Sequence, residues 1–310
     1  MKYSFFAIDA TFKPNDNILT KYLVKYEYTG ACEEADVLFI GSFINEHLYN
    51  HYIKNLNCIK ILYVTEPIQF MHGHYSYKLY SENLVNICFG CVENDGVKNF
   101  KHPIWYEMAG PKRFYDDVFI FDDVNIYVKD CENFLNKRYC SLINSHDRGG
   151  TRVPMYNKLK DFGFIECPSK LLNNCSSSEI DSYAYNNGEY LKLFKFNICS
   201  ENHKTTIDGY FTEKLVNASF GGAIPIYCGF FGETEDKIFN KDRILFYDSN
   251  DEESMDNVRN KVELLLNNDD KFIEFYKQPV FKETAYETVM TFDINLLNMI
   301  RRINAIHQRR

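Results

Sequence analysis

The chain has one tryptophan, eight prolines, no low-complexity tract, no internal repeat and no apolar run of membrane-spanning length. Its opening stretch, MKYSFFAIDATFKPND, places a single lysine before a short apolar run that Asp9 interrupts. That is too brief and too polar for a signal peptide or a spanning helix, so the expectation is a soluble, cytoplasmic protein with no transmembrane segment. A basic surplus is also missing: 35 Lys and Arg stand against 43 Asp and Glu, a net charge of −8. Nucleic acid is therefore not an expected partner, and any nucleotide site must gather its own local positive charge. Metal-ligand clusters are scarce as well. Of ten cysteines only Cys88 and Cys91 form a CxxC, with no second pair at similar spacing, so the thiols are expected to be reduced and mostly buried. His72 and His74 have no acidic partner at a defined offset, and the pairs Asp122-Asp123 and Asp269-Asp270 lack the spacer of a metal-binding Asp-x-Asp. No cofactor and no catalytic metal are expected.

What is present is apolar and aromatic: 45% of the 310 residues are hydrophobic, with 26 Phe and 23 Tyr, enough for a core in each of two domains. Short apolar runs alternate with polar, helix-compatible stretches. Residues 3–8, 37–40, 59–64 and 85–89 read as buried parallel strands, followed by 139–143, 164–166, 194–199, 223–227 and 244–247. Helical stretches at 152–160, 213–220 and 255–266 separate the later ones. The class is α/β, two doubly wound sheets with a cleft expected between them. The acidic run DDVFIFDD, 116–123, is the expected crossover, which divides the chain into domains 1–123 and 124–285. From Phe292 onward Ile294, Leu297, Ile300, Ile303 and Ile306 recur at helical spacing, so residues 286–310 read as an amphipathic helix that packs rather than one that binds lipid.

The segment from Asp208 to Gly229 carries the most chemistry. Thr212 suits an N-cap, Glu213 and Lys214 fall in the first helical turn, and Leu215, Val216, Ala218 and Phe220 can pack beneath. Free backbone N–H groups and the helix dipole at such a start attract an anion such as a diphosphate. Gly221 and Gly222 then stop the helix before the strand Ala223–Tyr227.

The order Ser200-Glu201-Asn202, Gly209-Tyr210, Thr212-Glu213-Lys214, Asn217-Ala218 and Ile224-Pro225-Ile226-Tyr227 resembles the signature of the α1,3-fucosyltransferases, glycosyltransferase family 10. The strand YLKLFKFNIC before it and the helix RVPMYNKL led by Arg152 are similar to that family too, and weaker similarity reaches Val64-Thr65-Glu66-Pro67. The resemblance implies a GT-B fold, two Rossmann-like domains facing a cleft with the C-terminal helix crossing back to the first. It implies GDP-fucose as donor, a glycan acceptor, and inverting transfer of L-fucose, α1,3 to GlcNAc of a lactosamine-type chain. Arg152 matches the family arginine at the diphosphate, where a guanidinium fork suits paired oxygens, and Arg148 is its local rival. Lys214 would contact phosphate and Glu213 a ribose or fucose hydroxyl, while Asn202 and Tyr210 would line the nucleotide. The family's base is a carboxylate after a strand of the first domain, and Glu66 stands there; His72 and His74 compete for the role.

Departures from the pattern bear on sugar fit and acceptor choice. Cys228 stands where many relatives have Trp, the stretch FFGETEDK replaces a proline-containing loop, and His203 and Lys204 have no family counterpart. Another nucleotide sugar as donor, or a glycan-binding protein without turnover, are the alternatives.

Overall fold

The computed structural model describes residues 1–8, 14, 17–66, 68, 71–92, 94–103, 105–106, 120–182, 187–202 and 210–310. The chain divides into two compact units, the first made of 1–107 with 289–310 and the second of 108–288. The boundary read from the sequence after Asp123 thus moves to 107/108. The physical reason is the helix Ile120–Asp130, which packs on the second unit through Phe121 against Phe220 and Phe281, while Asn125 bonds the backbone of Val280 and Phe281. Of the acidic run expected as crossover, 116–119 lie outside the described residues and 120–123 open this helix.

The first unit is built on a six-stranded sheet, in the order β2 (Glu27–Tyr28), β1 (Lys2–Phe6), β3 (Val37–Gly41), β4 (Ile59–Val64), β5 (Ile87–Gly90), β6 (Asn99–Lys101), every pair parallel. Every residue of β3 is buried, which is why its run VLFIG shows no polar alternation: a parallel sheet is covered on both faces. Leu38, Ile40, Leu62, Val64 and Cys88 share one face with Ile53, Leu79 and Val85, at the two-residue period of strands. The CxxC pair belongs to this core, and burial pushes the Cys88 thiol up to about 12.

The helix Ala285–His307 places 289–307 in the first unit, and its buried face is Val289, Phe292, Leu296, Met299, Ile300 and Ile303. The stripe expected from the sequence is thus rotated: Ile294 and Leu297 are exposed at 54% and 41%, and Phe292 and Leu296 take the inner positions. Phe292 meets Trp105 edge-on at 5.7 Å, and Asp293 accepts from the Tyr106 hydroxyl at 3.2 Å. Tyr26 donates to Asn304 Oδ1 at 2.8 Å and Arg310 to the Cys58 carbonyl at 2.9 Å, tying down the end of the helix. Among the described residues no helix is long and apolar enough to cross a membrane.

The second unit holds a five-stranded parallel sheet, ordered β11 (Leu245–Phe246), β10 (Ile224–Tyr227), β9 (Phe194–Ile198), β7 (Arg138–Ser141), β8 (Ile165–Glu166). Counted from β7, that order is 2-1-3-4-5, so the direction of winding reverses between β7 and β9. In doubly wound sheets the crevice beyond the carboxyl ends of the strands at this reversal is where ligands sit. The carboxyl ends at this reversal are those of Ser141 and Ile198.

Candidate functional site

Beyond β7 the chain turns through 142–151 before the helix Val153–Leu159. Asp147 fixes this turn: its Oδ1 accepts from the N–H of Thr151 and Arg152 at 2.9 and 3.1 Å, and its Oδ2 from Val153 at 2.9 Å. The carboxylate occupies the start of that helix and satisfies donors an anion would otherwise seek.

Arg152 follows, fully buried. Its guanidinium donates to the Ser200 carbonyl from Nε and Nη2 at 3.3 and 2.9 Å, to the His146 carbonyl at 2.6 Å and to Asn202 Oδ1 at 2.7 Å. It thereby ties the turn after β7 to the turn after β9 and sets the Asn202 side chain. Two of the residues expected at the donor are thus in direct contact, with Arg152 spending its planar fork on the protein. Burial lowers its pKa, an effect that Asp147 and Glu201 oppose. Arg148, the local rival, is exposed.

Glu213 and Lys214 open the helix Glu213–Phe220, with Thr212 at the N-cap position. The sequence suggested that Thr212 would cap the helix, and its side chain does not: it makes no capping hydrogen bond. Instead its hydroxyl donates to Glu201 Oε2 at 2.7 Å and accepts from Lys214 Nζ at 2.8 Å, and its N–H donates to Glu201 Oε1 at 2.8 Å. Among the described residues no side chain caps this helix start, in contrast to the one that Asp147 fills. At the other end Gly222 adopts φ +68°, the left-handed conformation that ends a helix cheaply only as glycine.

Lys214 Nζ lies 3.3 Å from Glu201 Oε2 and 3.5 Å from Glu213 Oε1, with its side chain 15% exposed. Burial acts to lower its pKa, but the carboxylates of Glu201 and Glu213 outweigh it and leave the ammonium above its ordinary value. His146 is held below its usual range by burial and by the nearby charges of Arg152, Arg148 and Lys214. The cations Arg148, Arg152 and Lys214 thus stand together with the carboxylates Asp147, Glu201 and Glu213. Glu213 and Lys214 line a small cavity of about 50 Å³. Ile143 and Asn187 also line that cavity, and both border a larger one of about 860 Å³ reached by Pro168, Lys170, Ser177 and Asp181. Tyr210 is 2% exposed, beneath the surface.

Glu201, which has no role in the sequence reading beyond its place in the pattern, stands at the centre of this arrangement, fully buried. Its N–H donates to the Cys228 carbonyl at 2.9 Å, its carbonyl accepts from the Thr151 hydroxyl at 2.8 Å, and Tyr227 donates to Oε1 at 3.3 Å. An acid two residues beyond a buried strand was the only signal available. Gly229 fits against it closely: a Cβ there would lie 2.5 Å from the Tyr227 hydroxyl oxygen and 2.6 Å from Glu201 Cγ. Gly229→Ala is expected to cost about 1–3 kcal/mol by overpacking, read as a lower midpoint in thermal unfolding.

Glu66 lies in the first unit, half-buried, just beyond β4. Ser42, at the end of β3, donates to the Tyr63 carbonyl at 2.8 Å and accepts from the Thr65 N–H at 2.7 Å, fixing the backbone that delivers Glu66. Pro67 lies outside the described residues. Of the rival histidines in that unit, His72 packs on the Tyr77 ring at 4.1 Å, and His74 precedes the helix Tyr75–Ser81 with its ring 5.7 Å from that of Phe43. The diacid pairs begin the helices Ile120–Asp130 and Asp269–Tyr276, where carboxylates suit the dipole. Among the described residues, no group of three or more His, Cys, Asp or Glu is placed to hold a metal ion.

No protein-family model matches the chain. Over 102 residues it is 30% identical to the α-(1,3)-fucosyltransferase FucT of Helicobacter pylori, a match that takes in 33% of this chain and 20% of that protein. The chain thus spans far less than two thirds of that relative's length. In structure it is similar to an α1,3-fucosyltransferase, with a TM-score of 0.63 at 18% identity over 96% of this chain and 89% of the other. The GDP-fucose complex of an α1,3-fucosyltransferase gives a TM-score of 0.64 at 16% identity with the same coverage. Anabaena HepE in complex with UDP and glucose gives 0.53 at 8% identity, covering 97% and 99%. These likenesses, with the two parallel-sheet α/β units, give the chain the GT-B fold.

Proposed function

We propose that this chain is a glycosyltransferase that moves L-fucose from GDP-fucose to a glycan hydroxyl with inversion, forming an α1,3 link to GlcNAc of a lactosamine-type acceptor. The observation that carries the proposal is the start of the helix Glu213–Phe220, which the Thr212 side chain does not cap and which the Lys214 ammonium accompanies. Helix N–H groups, dipole and a fixed cation together make a diphosphate site that needs little reorganisation. The cavities beside Ile143 and Asn187 supply room for a nucleoside attached to it. Glu213, on the same cavity wall, is suited to accept from a sugar hydroxyl, and Asn202, held by Arg152, to meet the nucleotide. The partial identity to the H. pylori enzyme and the similarity to a fold seen with GDP-fucose support the same donor.

In the proposed reaction Glu66 takes the proton of the acceptor hydroxyl as its oxygen attacks the anomeric carbon from the face opposite the diphosphate. The bond from that carbon to the β-phosphate oxygen breaks, and the charge leaving with GDP falls to Lys214 and the helix start. Incubating the protein with GDP-fucose and N-acetyllactosamine, and solving the product linkage by NMR, tests this: an α-fucosyl product is expected. Transfer of glucose or mannose from another nucleotide sugar, with none from GDP-fucose, would select the other-donor reading. Lys214→Ala is expected to weaken GDP binding by about 1.5–3 kcal/mol, the scale of a hydrogen bond to a charged group, in calorimetric titration.

A further inference from the structure

The donor site contains a carboxylate that ought to work against an anion, and it is buried where it can do most harm. Glu201 lies within 3.3 Å of the Lys214 ammonium and beneath the start of the helix Glu213–Phe220, where a diphosphate is proposed to bind. Its carboxyl accepts hydrogen bonds from Thr212 N–H, Thr212 hydroxyl and Lys214 at 2.7–3.3 Å, and the Tyr227 hydroxyl, 3.3 Å away, shares its one proton between this carboxyl and the Phe230 carbonyl at 3.0 Å. A Cβ at Gly229 would lie 2.6 Å from its Cγ, so a larger residue there forces a shift. A residue held from this many elements is fixed in place rather than swung aside by a ligand.

We propose that Glu201 is a positioning residue of the donor site, which pins the Lys214 ammonium at the helix start and turns the Thr212 hydroxyl away from capping that helix. This rests on the donor reading given above. Two consequences favour the anion. Lys214, mostly shielded from water, needs a buried counter-charge to stay an ammonium, and Glu213 alone stands farther away, at 3.5 Å. The Thr212 hydroxyl, given to Glu201 and Lys214, does not compete for the N–H groups that a phosphate would use. The site therefore carries its own negative charge so that its cation and donors are arranged before the ligand arrives.

Among the described residues, the charged and titratable groups around Lys214 are Glu201 and Cys199 after β9, Glu213 on its own helix, and Arg152 and His146 from the turn after β7. Glu201 and Glu213 raise the ammonium's pKa, whereas Arg152 lowers it.

The test combines the ligand-free protein with GDP binding, using Glu201→Gln, Lys214→Met and the double variant, each verified as folded by circular dichroism. In ligand-free protein labelled with ¹³C-lysine, the Lys214 side-chain signals of Glu201→Gln are expected to titrate at a pH lower by about one unit or more than in wild type. An unchanged midpoint overturns the proposal. In GDP titrations Glu201→Gln is expected to bind about tenfold or more weakly, with a larger loss at pH 9.5 than at pH 7, and the substitution is expected to cost less than about threefold in the Lys214→Met background. Equal losses in both backgrounds would make Glu201 a structural residue only, and tighter GDP binding would make it a plain electrostatic burden; either result overturns the proposal. Should glutamine prevent folding, Glu201→Asp, which retracts the charge by one methylene, is expected to shift the lysine in the same direction by less, and an unshifted lysine in folded Glu201→Asp overturns it equally. A shifted lysine in a protein that does not bind GDP at all would leave the positioning role standing and remove the donor reading.

Discussion

Glu66→Gln is expected to lower the rate of transfer by a factor of about 10²–10⁴, the usual contribution of a positioned general base, while GDP binding stays as in wild type. Glutamine matches glutamate in shape and offers no site for the acceptor proton. The backbone that presents it is fixed by Ser42 bonding Tyr63 and Thr65, so the substitution is not expected to disturb β4. Proton transfer and donor affinity separate because the proposed base and the proposed diphosphate site belong to different units of the chain. Measured kcat should fall while the GDP dissociation constant is unchanged. His72→Gln and His74→Gln should leave the rate within about threefold, since both rings pack on aromatic neighbours. Full activity in Glu66→Gln would remove this residue as the base.

Arg152→Ala is expected to have the largest effect on stability. Its guanidinium satisfies the carbonyls of His146 and Ser200 and the amide oxygen of Asn202 from a fully buried position. Removing it leaves buried acceptors without donors, at about 1–3 kcal/mol for each that water does not reach. A total near 3 kcal/mol would lower the melting temperature by about 6–12 °C in a unit of this size. Arg152→Lys is expected to recover little of this, because a single ammonium does not span two turns as the planar fork does. GDP binding should weaken as well, through the released Asn202. A variant that melts like wild type while losing GDP would show instead that the arginine spends its charge on the ligand.

The contrast between Arg152 and Lys214 marks how far the sequence could be read. Parallel strands such as Val37–Gly41 and Ile59–Val64 were legible because a strand buried on both faces is an uninterrupted apolar run. The helix after Thr212 was legible from its polar first turn and its two terminal glycines, and the spacing of Glu213 and Lys214 placed them at its start. The partners of these residues were not legible. Whether the Thr212 hydroxyl caps the helix or serves Glu201 depends on a carboxylate eleven residues earlier, brought beneath it by the turn from β9. Likewise Asp147 caps its helix from five residues before Arg152, an offset outside the usual capping pattern. At the C-terminal helix two interleaved apolar stripes were available, and only packing selected Phe292 and Leu296 over Ile294 and Leu297. Periodicity finds elements, and long-range hydrogen bonds decide which of their residues act together.

The proposed donor is tested by calorimetric titration of the protein with GDP-fucose in EDTA, with GDP-mannose and UDP-galactose as competitors. Saturable binding of GDP-fucose is expected that persists in EDTA, that GDP displaces, and that the other two nucleotide sugars displace only weakly. Folded protein that binds no GDP-fucose, or that binds UDP-galactose in preference to it, would rule out GDP-fucose as the donor while leaving the GT-B fold in place.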